Sequence, residues 1–154
     1  MLKTGSKAPD FTLKNQDETP TTLSSFAGAW VVVYFYPKAL TPGCTTQACA
    51  IRDNKTDFDK ENINVLGISP DNPSLLKRFE DKKDLNFTLL SDETLDTIKT
   101  YQAWGLKKFM GKEYEGVYRI TYIIDPDGKI VHTIPKVKTK THHSDVLTWI
   151  QENK

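Results

Sequence analysis

The chain has 154 residues, of which 38% are apolar, or about 43% once its 8 glycines are added. Leu, Ile, Val and Phe alone make up about a quarter of it, above the roughly 20% below which chains tend to stay disordered, so disorder is excluded and one packed domain over residues 1–154 is expected. With 21 basic against 20 acidic residues, the chain has no net field to hold nucleic acid or an anionic membrane surface, and neither is expected as a partner.

Met1-Leu2-Lys3-Thr4-Gly5 leads into polar residues instead of the apolar core of a secretory signal. The longest apolar stretch, Ala29 to Tyr36, falls far short of the about 20 residues that cross a bilayer. A cytoplasmic location is the expectation. Phe11–Leu13 and Thr21–Leu23 flank the turn-rich Asn15-Gln16-Asp17-Glu18 and predict an N-terminal β-hairpin. Trp30–Tyr36 is β-branched and aromatic without alternation, the pattern of a central strand covered on both faces. Pro37 ends it. After Thr41-Pro42-Gly43, the small or apolar Cys44, Ala48, Ile51 and Phe58 recur at helical spacing, predicting a helix from about Cys44. Ile63–Ser69 reads as the next strand, and Asn72-Pro73 supplies a cap and first-turn proline for a helix carrying Leu75, Leu76 and Phe79. Asp92 is placed to cap a helix with Leu95, Ile98 and Tyr101 on one face. Tyr118–Ile124 and Lys129–Thr133 flank Asp125-Pro126-Asp127-Gly128 as a hairpin, and Val146, Leu147 and Ile150 mark a C-terminal helix. The order β-α-β-α-β-β-α joins a parallel pair to an antiparallel hairpin. This predicts an α/β, thioredoxin-like fold: a central mixed sheet flanked by helices, with the N-terminal hairpin as an extension.

Cys44 and Cys49 are the only cysteines. Cys44 falls where a strand gives way to a helix, and the first helical turn offers unpaired N–H groups and about half a positive charge, both favouring thiolate over thiol. An unperturbed cysteine is only about 3% ionised at pH 7, so full ionisation gains at most about 30-fold, less the loss of nucleophilicity. Further acceleration has to come from groups that stabilise a leaving oxygen. On an ideal helix the two cysteine α-carbons lie about 8.6 Å apart and about 140° around the axis, whereas a disulfide needs less than about 7 Å. If the thiols join, the first turns of the helix must unwind. The bland alternative is a pair of small core residues. Zinc binding is disfavoured, because C-x4-C is off the usual spacing and no second pair exists.

Pro37-x-x-x-Thr41-x-x-Cys44 resembles the active-site signature of the peroxiredoxins, and Tyr36-Pro37-Lys38 through Arg52-Asp53 resembles their bacterioferritin-comigratory, or peroxiredoxin Q, branch. The similarity continues through Leu89-Leu90-Ser91-Asp92 and the segment from Arg119 to Gly128, up to His142-His143. It implies thiol-dependent reduction of hydrogen peroxide and organic hydroperoxides, with no metal or organic cofactor. Cys44 matches the peroxidatic cysteine, which becomes a sulfenic acid, and Cys49 the resolving cysteine of atypical two-cysteine members. Thr41 matches the hydroxyl that bonds the peroxide, Pro37 the shield of the sulfenic acid, and Arg119 the active-site arginine. Arginine suits that role because it stays charged and its fork can address both sulfur and oxygen. The N–H groups of Gly43 and Cys44 are placed to hold the departing oxygen. The implied partners are a hydroperoxide and thioredoxin, or another small dithiol protein, and the implied state is a monomer.

Each assignment has a plainer counterpart. Thr41 could cap the helix, Pro37 could only end a strand, and Arg119, at the start of a strand, could make a surface ion pair. Gln47 stands where many members carry glutamate, which brings the polar network below the site into question. His142 and His143 do not share a helix face and read as a solvated pair rather than metal ligands. Trp104 and Phe109 read as core rather than pocket lining. A dithiol carrier predicts a C-x-x-C pair and a proline just before the strand near Arg119, and neither is present. A redox sensor or holdase would use the same sulfenic acid without turnover.

Overall fold

In this computed structural model, which describes residues 1–154, the chain passes through β1 (Thr12–Asn15), β2 (Pro20–Thr22), β3 (Trp30–Phe35), α1 (Pro42–Asp53), α2 (Lys55–Lys60), β4 (Ile63–Ser69) and α3 (Pro73–Lys83). It continues through β5 (Thr88–Ser91), α4 (Asp96–Thr100), β6 (Trp104–Phe109), β7 (Lys112–Val117), β8 (Thr121–Ile124), β9 (Ile130–Ile134) and α5 (His142–Asn153). Seven strands form one mixed sheet in the order β2-β1-β5-β4-β3-β8-β9. β3, β4 and β5 are parallel, while β8 runs antiparallel beside β3 and β9 antiparallel beside β8, and β1 and β2 close the opposite edge.

The uninterrupted apolar run of β3 follows from its position. Val32, Tyr34 and Tyr36 point into one buried cluster with Ala48 and Ile51 of α1, Phe79 of α3 and Ile150 of α5. Val31, Val33 and Phe35 point into a second cluster with Ile98 of α4, Tyr101 and Tyr122. Each such side chain contributes about 1.5–3 kcal/mol by leaving water, and because both faces are covered, alternation with polar residues has no place here. The central strand, the N-terminal hairpin, the helix after Asn72 and the Asp125–Gly128 hairpin turn all stand where the sequence predicts them, apart from shifts at their ends.

Five expectations are corrected. The helix carrying Cys44 begins earlier, at Pro42, and stops at Asp53, so Phe58 belongs to the separate α2. Asn54 makes the break: its side-chain amide donates to the Ala50 carbonyl at 2.8 Å. Leu89 and Leu90 form β5, a strand too short to declare itself by period, held by β4 on one side and β1 on the other. Asp92 does not sit at the N-cap of α4, which is Leu95; its Oδ2 instead accepts from Ile98 N–H at 2.7 Å. Residues 104–117 form an unpredicted two-stranded hairpin, β6–β7, outside the main sheet. Phe109, expected in the core, is 67% exposed on it, whereas Trp104 packs half-buried against the second cluster.

Candidate active site

β3 ends with its side chains sealed in the core, and the chain turns at Pro37 to start α1 beyond the sheet's carboxyl edge. The connecting loop is held from outside. Ala39 N–H donates to Asp71 Oδ2 at 2.7 Å, and the same oxygen accepts from Ser69 Oγ at 2.8 Å. Leu40 adopts φ 67°, a left-handed conformation costly for a branched side chain, immediately before the helix. Thr41 is the N-cap, yet its hydroxyl makes no capping bond and donates to the Lys38 carbonyl at 2.8 Å. The hydroxyl lone pairs therefore remain free to accept. Pro42 carries no N–H, and the N–H groups of Gly43 and Cys44 have no acceptor in the protein.

Cys44 is buried in the first cluster, and Cys49 is half-buried further along α1, both as free thiols. Arg119 lies in the link between β7 and β8 rather than on a strand. From there its Nη2 donates to Cys44 Sγ at 3.3 Å and its Nη1 to Gln47 Oε1 at 3.4 Å. Gly43 leaves the necessary room, because a Cβ at that position would stand 3.1 Å from Arg119 Nη2. Pro37, Thr41, Gly43, Cys44 and Arg119 thus share one end of the sheet. Lys107 of β6 borders the same place; burial first, then the Arg119 charge, hold its ammonium below the ordinary lysine range.

His142 reverses an expectation. Instead of lying solvated with His143, it is buried at the start of α5, because packing α5 against α1 carries the ring inward. Its Nδ1 meets Gln47 Nε2 at 3.0 Å and its Nε2 meets Thr121 Oγ1 at 2.8 Å. Burial, with a smaller contribution from His143, pushes its pKa down to about 3. Beneath it, Tyr34 lies edge-on to the imidazole with centroids 5.4 Å apart. Gly67 of β4 admits the Tyr34 ring, since a Cβ there would come within 2.9 Å of it. Burial keeps the Tyr34 and Tyr36 phenols neutral. No group of three His, Cys, Asp or Glu gathers in a metal-holding arrangement, and both His142 nitrogens are already engaged. Sequence alone assigns no site role to Asp71 and places His142 in solvent. The Asn72-Pro73 cap beside Asp71 was the available signal for the first; nothing local signals the second.

The arrangement sets a sulfur at a helix N-terminus beneath a guanidinium, with two unspent N–H donors beside it. It suits attack on an electrophile whose leaving atom gains negative charge. Residues 4–133 match the AhpC/TSA family. The chain is 51% identical over 152 residues to peroxiredoxin Bcp of Escherichia coli strain K12, covering 99% of this chain and 97% of that protein. Among solved structures, the Xanthomonas campestris bacterioferritin comigratory protein, studied for alkyl peroxide reduction, superposes with TM-score 0.87 at 33% identity, covering 92% of this chain and 90% of the other. A cysteine-to-serine variant of Xylella fastidiosa PrxQ superposes with TM-score 0.93 at 28% identity, covering 99% and 97%.

Proposed function

The chain belongs to the AhpC/TSA family, as a peroxiredoxin of the bacterioferritin-comigratory and peroxiredoxin Q type with a thioredoxin-like fold, and from that premise we propose that Cys44 is its peroxidatic thiol and Cys49 its resolving thiol. It is a thiol peroxidase. The observation that carries the residue assignment is the Arg119 guanidinium 3.3 Å from Cys44 Sγ at the start of α1.

In the proposed cycle the Cys44 thiolate attacks one peroxide oxygen, forming the S–O bond as the O–O bond breaks. The departing oxygen leaves as alkoxide or hydroxide and takes a proton from solvent, giving alcohol or water. Arg119 and the Gly43 and Cys44 N–H groups hold the charge that develops. Thr41, its own hydrogen already donated to Lys38, accepts from the hydroperoxide O–H, and Pro37 shields the sulfenic acid from water. Cys49 then attacks the sulfenic sulfur; the S–S bond forms, the S–O bond breaks and water leaves. Because both cysteines stand on one intact helix, this second step unwinds the start of α1. A dithiol protein, thioredoxin in our reading, supplies the two electrons that return both thiols. The alkyl peroxide activity of the Xanthomonas protein supports organic hydroperoxides as substrates beside hydrogen peroxide. We further read the chain as a single-domain cytoplasmic monomer that needs no cofactor.

Mass analysis and thiol counting after one equivalent of hydrogen peroxide, followed by thioredoxin, its reductase and NADPH, test this reading. The expected result is a rapid loss of about 2 Da, both thiols gone, and sustained NADPH oxidation. Slow or absent thiol loss contradicts the assignment, and a fast disulfide without turnover makes the protein a sensor instead.

A further inference from the structure

The buried chain behind Arg119 permits only one arrangement of protons. Arginine can only donate, so Gln47 presents Oε1 to Arg119 Nη1 at 3.4 Å and turns its NH2 toward His142 Nδ1 at 3.0 Å. An amide NH2 also only donates, so Nδ1 must be a bare acceptor. The neutral ring therefore carries its proton on Nε2 and donates it to Thr121 Oγ1 at 2.8 Å. Thr121 is fixed in turn, being fully buried on β8 in register with Tyr34 of β3. A rigid sheet position is thus linked through His142, Gln47 and Arg119 to the sulfur of Cys44.

We propose that His142, as the Nε2–H tautomer, is a positioning residue for peroxide reduction: it aims the Gln47 amide, and Gln47 holds Arg119 over Cys44. The proposal rests on the assignment of Cys44 and Arg119 made above. His142 touches no substrate. Its contribution is to fix which face of the Gln47 amide meets the guanidinium, because an amide turned the other way sets NH2 against Arg119, donor against donor.

Three variants in a Cys49→Ser background, where peroxide reacts once with Cys44, separate positioning from bulk packing. His142→Asn sets an amide where Nδ1 stood and keeps an acceptor for Gln47. His142→Gln sets it where Nε2 stood, keeping the Thr121 bond and losing that acceptor. His142→Leu loses both. Stopped-flow tryptophan fluorescence with hydrogen peroxide is expected to leave the Asn variant within about threefold of the His142 background and to slow the Gln and Leu variants about tenfold or more. Nitrogen-15 spectra of the imidazole at pH 7 are expected to show a protonated Nε2 and a bare Nδ1. Equal rates in all four proteins, equal slowing of Asn and Gln, or the opposite tautomer overturn the proposal. If Leu fails to fold, the Asn and Gln pair still decides. A background protein whose Cys44 ignores peroxide overturns the thiol assignment itself, an outcome distinct from a reactive Cys44 indifferent to residue 142.

Discussion

The two ends of β3 are built from similar apolar residues and do different things. At its start, near Val31, lies a cavity of about 280 Å³ walled by Ala8, Leu23, Phe26 and Ile124. Two of the three carboxylates there are spent on turns: Asp10 Oδ1 accepts from Phe11 and Ser24 N–H at 3.0 and 2.9 Å, and Asp125 Oδ1 from Asp127 and Lys129 N–H at 3.0 and 2.9 Å. At its far end a thiol, a guanidinium, an amide, an imidazole and a hydroxyl are joined in sequence. Donors unspent on structure, rather than empty volume, mark the reactive end.

The largest expected effect breaks that end outright. Cys44→Ser should reduce peroxide consumption to background, while Cys49→Ser should keep the first peroxide reaction and lose recycling by thioredoxin. Equal multiple-turnover rates in Cys49→Ser and the parent contradict the resolving role. Next in size, Arg119→Leu should slow the first reaction about 10²–10³-fold, as loss of one charged donor to a developing oxyanion does, with thermal unfolding little changed. A loss below about threefold would leave Arg119 a partner of Gln47 with no part in the reaction.

His142 sharpens the comparison through stability. Above about pH 7.5 its ring is almost entirely neutral in both folded and unfolded chains, so it contributes little pH dependence there. As pH falls from 6.5 toward about 3, the unfolded ring takes up a proton that the buried ring refuses, and stability is lost. Between pH 7 and pH 5 the parent should lose about 2 kcal/mol more than His142→Asn in denaturant titrations, and parallel losses in the two proteins would refute the buried neutral ring. The smallest effect lies at the opposite end. Asp125→Ala frees two N–H donors and should cost about 1–2 kcal/mol of stability while leaving the peroxide rate unchanged; a matching fall in rate would mean the two ends are coupled.

The reactive end was legible where its chemistry is local. Pro37, Thr41, Gly43 and Cys44 lie within one strand-to-helix junction, and the strand and helix signals on each side place them. Arg119 enters from far along the chain, and only its surrounding resemblance flagged it. His142 departs from its solvated reading because its burial is decided by how α5 packs on α1, a contact that two adjacent histidines after Thr141 do not encode. Gln47 is notable for its identity, yet its partners come from the β7–β8 link and α5 and are invisible at its own position. The β6–β7 hairpin escapes for the opposite reason: Lys108, Lys112, Glu113 and Glu115 face water on a pair with no core of its own, so no apolar period betrays it. β5 escaped because four residues cannot show one.

The central claim is that a thiol held at the intact start of α1 reacts, and that the helix then opens to let Cys49 reach it. Amide hydrogen exchange over residues 44–52, compared between the reduced protein and its Cys44–Cys49 disulfide form, tests this directly. Faster exchange across that segment, with protection in β3 and β4 retained, is the predicted result. Unchanged protection of residues 44–52 alongside a fully formed disulfide would contradict the account.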